Sequence, residues 1–541
     1  MTQRPLVVLL AICSLSACGK VANLGYGTDS ANHESENTWG GGGDATTTGG
    51  GASGATASGV AGSSTPAGGA ATAGHAGVGG GPIDPPCTSA ISVGGDLQVS
   101  SASNMTRLIR EVTGDLTIDS PTADLPQLRC LETVGGNLDV RVASGDLSAL
   151  RQLRSVRFNL TIHGNRDMRD LSSLSSLTSV GTTLTIEDND ALVDLSGLEA
   201  MGNVFELRIR NNPKLENLDA LSKLTGRGGD LEIAGNDALV NLAGLHQFTK
   251  VNKLIISDNP LLRDLAGLDG LAAAYDVSIV GNAALVDLAG LGGIKSMSAL
   301  IISDNPVLPN LAGLANLAKV ESVLRLSNNV ALENIDALST SLSALGSFNL
   351  EGSPKVSNVE GLRNITSMDY VGLASSGVST LNGLRNLERI VAIGIGSIQI
   401  KDLTGLGKTL ISGSIDVVQA GELVSLAGLS PDNHALSTIT IQDNEKLRDL
   451  SGLEMVQSAY QLIIRSSPKL ESLTGLENLK TLTSLIITDS VLSSLAPLDG
   501  LSISNDADIE RNSTLSQCDI QAFVQRTGAG TSTLLDNGPC N

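Results

Sequence analysis

The chain has 541 residues and a formal net charge of −21, and 41 % of it is hydrophobic but only 2 % aromatic. That length would allow several globular domains, yet the interior must be packed by Leu, Ile, Val and Ala, which suits a thin repeated architecture of stacked aliphatic rows. The acidity argues against nucleic acid as a partner and leaves a basic ligand or a divalent cation electrostatically possible.

Residues 1–17 read as an export signal. Arg4 supplies the positive start, and "PLVVLLAICSLSA" is an apolar stretch too short to span a bilayer as a mature helix. It runs into "LSACG", Leu15 to Gly19, which resembles the lipobox of bacterial lipoproteins. The resemblance implies cleavage before Cys18, acylation of that residue, and a protein held in the bacterial cell envelope by its N-terminal lipid. Gly19, where the enterobacterial inner-membrane retention signal has aspartate, points to the outer membrane and cell surface. Several acyl chains on one residue exceed what stable anchoring requires. Residues 18–86 then form a tether of Gly, Ala, Ser and Thr without apolar periodicity. As a flexible coil it would reach about 40–50 Å.

From Leu97 onward one pattern recurs: L-x-I-x-x-N-x-x-L-x-x-L-x-x-L. Its first position falls at Leu97, Leu116, Leu138, Leu160 and so on to Leu485 and Ala507, with steps of 22 to 24 residues after the first. A fixed period of this size is the mark of a solenoid. In the strand signal the outer residues enter the core and the middle one faces solvent. Successive strands are expected to pair into one long parallel sheet with rungs about 4.8 Å apart. Five residues after the strand leucine come Asn165, Asn189, Asn212, Asn236, Asn259, Asn282, Asn305 and Asn329. Stacked amides at one turn can bond backbone groups of their own and the next coil, so these are read as a structural ladder. The ladder lapses at Ser353, Ser376, Ile398 and Ala420, which makes 362–429 the least regular stretch and a possible junction.

The repeat resembles a leucine-rich repeat. Where V-G leads into the strand, as in "LTSVGTTLTIEDNDALVDLSGL" (177–198) and "LETVGGNLDV" (131–140), it is closer to the receptor L-domain repeat. The resemblance covers about residues 87–541. It implies a mainly β fold, a right-handed single-sheet parallel β-solenoid of about 19 coils with terminal caps. It also implies a binding or adhesive role toward an unknown protein or glycan, without enzymatic activity; no cofactor and no metal-ligand set is assigned.

The caps follow from the cysteines. With Cys13 removed and Cys18 lipidated, Cys87, Cys130, Cys518 and Cys540 remain, two at each end of the array. An exported compartment permits disulfides, and the pairs Cys87–Cys130 and Cys518–Cys540 join neighbours in space. The solenoid is assigned to 87–512 and a disulfide-linked cap to 513–541, where "STLSQCDIQAFVQRTG" (513–528) reads as a short amphipathic helix stopped by Gly528.

A ligand would meet the outward face of the sheet. One candidate there is a charged cluster containing Glu187, Glu206, Arg208, Arg210, Asp230, Glu232 and Lys253, for which cross-strand ion pairing is the structural alternative. The other is a set of outward isoleucines, Ile255, Ile301, Ile463 and Ile486, taken as exposed apolar contact points, for which strand propensity is the alternative. No P-loop, G-x-S-x-G or H-E-x-x-H motif occurs. A passive surface spacer or coat and a polysaccharide-active β-helix enzyme remain rival readings, the latter on the carboxylates of the charged cluster.

Overall fold

The computed structural model describes residues 87–100, 107–121 and 125–540; the expected signal segment, Cys18 and the tether lie outside them. The described array is built coil by coil. In the coil that starts at Leu254, Leu254 and Ile256 are fully buried and Ile255 points outward. Leu254 pairs in register with Leu231 of the coil before and Val277 of the coil after. The same pairing links every successive coil from Leu97–Val99 to Ser502–Glu510, always parallel. A further strand, Thr531–Thr533, pairs with Asp506–Asp508 and adds one rung beyond the leucine pattern.

The sheet is wider than the L-x-I signal. In the first seven coils a short lead-in strand, as in Thr133–Val134 and Ser179–Val180, forms a parallel ribbon of its own. From Lys250 the lead-in and the main strand are continuous, as in the eight residues Lys250–Ser257, except where Leu410–Ile411 stands apart from Ser414–Val418. Alternation breaks within this strand: Val251 and Leu254 are both core, so Asn252 and Lys253 both face out. The chain turns a convex corner there. The V-G sequence belongs to this corner. A Cβ on Gly181 would lie 1.8 Å from the Arg157 carbonyl oxygen, so only glycine lets the two coils stack.

From the coil that starts at Leu160 onward the chain leaves each main strand through a left-handed residue, for example Asp258 at φ 54° and Gly281 at φ 70°. Asp, Asn and Gly tolerate this conformation best. The next residue is the buried asparagine. Three-residue spacing then places Leu262, Leu265, Leu268 and Leu271 in the core, all fully buried. They are carried by tight turns and short 3₁₀ segments such as Ala243–Leu245. A second polar column fixes this return. The Ala266 N–H donates to Asp264 Oδ1 at 3.1 Å, Ala289 N–H to Asp287 at 2.8 Å, and Ala312 N–H to Asn310 at 2.9 Å. These side chains mimic a backbone turn. In the same D-L-x-G-L sequence Gly267 has φ 104°, and a Cβ there would lie 2.1 Å from the Leu242 carbonyl oxygen.

Strand pairing runs without a break through 362–429, from Ser367–Ala374 to Arg389–Gly396, Ser414–Val418 and Ala435–Gln442. The possible junction is therefore not a break in the array: the leucine rows carry the sheet across coils whose turns lack asparagine. Both disulfides form, Cys87–Cys130 with Cα atoms 5.5 Å apart and Cys518–Cys540 with 5.2 Å. The C-terminal helix α1 spans Gln517–Thr527. Ser516 caps it by accepting from the Asp519 N–H, Gly528 ends it at φ 78°, and Ile520 and Phe523 are buried beneath it.

Candidate functional site: the outer face of the sheet

Interior residues are accounted for first. From Asn165 to Asn305 each amide Nδ2 donates to the Oδ1 of the next coil's asparagine at 2.8–3.4 Å, the last of them onto Asn329. Each backbone N–H from Asn165 to Asn305 donates to that same Oδ1 at 3.1–3.2 Å. Asn259 also donates to the carbonyls of Ile233 and Ser257. All eight are fully buried, so none of them can meet a ligand. The ladder resumes at Asn444 and Asn512 and ends on Asn537, whose Oδ1 accepts from both nitrogens of Asn512. Asn537 stands five residues after Ser532, the same offset as in every leucine coil, but no leucine marks its strand.

The outward columns of the main sheet fall into three zones. In the first, Arg208 pairs with Glu206 and lies 3.8 Å from Glu232, while Arg210 lies 2.7 Å from Glu187 and 3.7 Å from Glu232. Asp230 accepts from Asn252 Nδ2 and from the Lys253 N–H. Within the cluster Arg208 and Arg210 are both held by carboxylates of their own and neighbouring rungs.

The second zone is flat. Gly372 and Gly394 occupy successive outward positions, and the Tyr370 ring lies across them: a Cβ on Gly372 would lie 2.7 Å from its Cε1, and one on Gly394 2.6 Å from its hydroxyl. Burial raises the Tyr370 pKa above the ordinary phenol value, with the Asp416 charge adding to it.

The third zone is concave. A hollow of about 360 Å³ is lined by residues that include Arg465, Ile486, Thr488, Asp508, Glu510 and Arg511. Arg511 is engaged by Asp489 at 2.8 Å and by Glu510 at 2.8 Å. Its hydrogen bond holds the Asp489 carboxyl below the usual range, and the same bond raises the guanidinium. A second hollow, of about 340 Å³, lies at the corner beside Met368, Ile390, Val391 and Leu410.

The isoleucines are not exposed as expected. Ile255, Ile301, Ile463 and Ile486 are all half-buried. An outward residue on an interior rung is bracketed by the same column one rung away on each side, Ile255 by Glu232 and Ser278 and Ile301 by Ser278 and Arg325. Ile463 and Ile486 are direct neighbours in register. Among the described aromatic residues, the exposed ones stand elsewhere: Phe158, Phe205, Tyr275 and Tyr460 each lie two residues before a strand leucine, at the convex corner. For Phe205, Tyr275 and Tyr460 the sequence signal is the broken alternation, two outward residues between core positions three apart; Phe158 stands among three outward residues between Val156 and Leu160.

A parallel sheet with one strand per 22–24 residues, a buried asparagine after each strand and a leucine-spaced return decides the architecture. The chain has a leucine-rich-repeat-like fold. No protein-family model matches the chain, and neither does any curated protein. Among solved structures this leucine-rich solenoid is similar to an internalin from Listeria monocytogenes, at 17 % identity over 69 % of this chain and 84 % of that one, with a TM-score of 0.34. A leucine-rich-repeat protein of Leptospira interrogans matches at 14 % over 73 % and 96 %, with a TM-score of 0.40. One from Bacteroides eggerthii matches at 12 % over 76 % and 72 %, with a TM-score of 0.38.

Proposed function

We propose that the protein is a lipid-anchored binding scaffold of the bacterial cell envelope, displayed at the outer membrane, whose sheet face holds a protein or glycan ligand. The lead-in pairs Val134–Gly135 and Val180–Gly181 support a solenoid of the receptor L-domain type. The observation that carries the binding reading is the hollow around Ile486. It sets Ile486 among polar and charged side chains, of which Arg465 and Asp508 form no ion pair among the described residues. Convergent polar groups fix the orientation of a bound ligand and supply specificity. The test is a protein and glycan array probed with the mature chain, followed by Ile486→Arg and Arg465→Glu. Both variants should lose captured ligands at least tenfold while keeping the wild-type melting profile; undiminished binding places the site elsewhere. Turnover of a polysaccharide by the wild type would favour the enzyme reading. For the anchor, Cys18→Ala is expected to release the protein from membranes, and retention there refutes the lipobox reading.

A further inference from the structure

The convex corner of the coils that start between Leu160 and Val277 differs from the rest of the surface. Three exposed rings stand along it in one column: Phe158 at 45 % exposure, Phe205 at 46 % and Tyr275 at 57 %. Phe158 and Phe205 are two rungs apart and Phe205 and Tyr275 three, so they are spaced about 10 and 14 Å along the array. Cations accompany them. The Arg157 guanidinium lies 5.3 Å from the Phe158 ring centroid. Arg154, Arg227 and Lys250 are exposed on the same flank. None of these four forms an ion pair among the described residues, in contrast to Arg208 and Arg210 on the sheet face. The Lys250 stem passes beside Gly228 and the Phe205 ring beside Gly229, which joins the rings and the charges into one strip.

Four carboxylates bordering the strip have hydrogen-bond donors of their own, and none of them pairs with the strip's cations among the described residues. Glu199 accepts from the Gly197 N–H and Asp269 from the Gly267 N–H. On the sheet side Glu206 holds Arg208, Asp230 holds Asn252, and Asp276 faces Lys253 in register. A strip with free cations is conspicuous in a chain of net charge −21. Its place on a convex corner gives line contact with an extended flat partner rather than a recess for a small molecule.

We infer that this strip docks on an anionic phospholipid surface, with the rings at the headgroup level and Arg154, Arg157, Arg227 and Lys250 on lipid phosphates. Aromatic side chains settle at the membrane–water interface, and basic residues are drawn to anionic headgroups within a Debye length. The inference is independent of the hollow around Ile486. It would lay one flank of the solenoid along the membrane and leave the sheet face free for a ligand.

The experiment is co-sedimentation of the mature chain carrying Cys18→Ser, which removes the lipid, with vesicles of phosphatidylcholine alone or mixed equally with phosphatidylglycerol. The expected result is binding to the anionic vesicles at least tenfold tighter than to the neutral ones, weakening with salt. The triple variant Phe158→Ser, Phe205→Ser, Tyr275→Ser and the triple variant Arg157→Glu, Arg227→Glu, Lys250→Glu should each lose it. Tyr460→Ser, on a distant coil, should keep it, as should Ile486→Arg. Circular dichroism confirms folding, and these exposed side chains can be changed without touching the core. Equal affinity for both vesicles overturns the inference, as does unchanged binding in either triple variant. Loss of a soluble protein or glycan ligand in the triple variants, without vesicle binding by the parent, would make the strip a different interface and also overturn it.

Discussion

From Asn165 to Asn329 the turn after each strand holds the same buried amide, whereas from Ser353 to Ala420 it holds Ser, Ser, Ile and Ala. Both stretches carry the same unbroken sheet. The difference separates two jobs. Leucine rows and strand pairing build the coil, and the amide ladder adds polar satisfaction at one turn. Where the ladder lapses, Ser353 Oγ donates to the Glu351 carbonyl, and Ser376 Oγ is buried without a partner among the described residues. The same coils carry the Tyr370 ring over Gly372 and Gly394, so their outer face is reorganised along with their turn.

The largest effect should come from a feature both stretches share. A Cβ on Gly267 would lie 2.1 Å from a carbonyl oxygen of the preceding coil, and one on Gly383 2.0 Å. Each changed to alanine should cost about 3 kcal/mol or more in urea unfolding. Gly267→Ala should cost the more, because φ 104° adds backbone strain that Gly383, in the 3₁₀ segment Asn382–Leu384, lacks; a larger loss at Gly383 would mean that the stretches stack differently. Next, Asn259→Leu strands the Asn236 N–H and the Ile233 carbonyl in the interior and should cost about 2–4 kcal/mol. Ser376→Ala should stay within about 0.5 kcal/mol or stabilise, because nothing is lost with that hydroxyl. Similar losses in both would erase the distinction drawn here. Hydrogen exchange should localise the Asn259→Leu loss to the adjoining coils, since each repeat touches only its neighbours.

Smaller still is a pH effect at the far end. The hydrogen bond from Arg511 lowers the Asp489 pKa in the folded state. The ion pair therefore contributes above the unfolded carboxylate value of about 3.9, and its contribution fades as pH falls through the lower folded value. Asp489→Asn should remove this acid-side slope and, with it, the pair's small contribution at neutral pH, so that the two stability curves converge in acid. The uncharged amide ladder should contribute no such slope, and a pH-dependent loss in Asn259→Leu would contradict that.

The leucine period made most of the architecture readable, because core positions repeat at a fixed offset and stacking does the rest. The disulfides and helix α1 were readable for similar reasons: two cysteines at each end, and an N-cap and a terminal glycine flanking an apolar face. The lead-in ribbon was harder to see because it contributes only two to four residues per coil. Asn537 was hidden because its strand is Thr-Ser-Thr. The isoleucines were misjudged for a geometric reason: facing outward in a sheet does not amount to exposure when neighbouring rungs shield each side chain. The exposed rings escaped notice because the period-two rule fails at the corner, where Lys250–Ser257 keeps Val251 and Leu254 in the core three residues apart. The hollow around Ile486 depends on side chains from several coils, and no single repeat announces it.

The asparagine ladder has one more consequence. Each amide hands its hydrogen bond to the next coil in the same direction and asks nothing of coils farther away. A whole repeat can therefore be excised or duplicated without leaving a mismatched joint: with residues 254–276 removed, Asn236 would meet Asn282 as it now meets Asn259. The molecule behaves as a ruler with interchangeable segments, and its span can be reset in steps of about 4.8 Å while every remaining contact keeps its form.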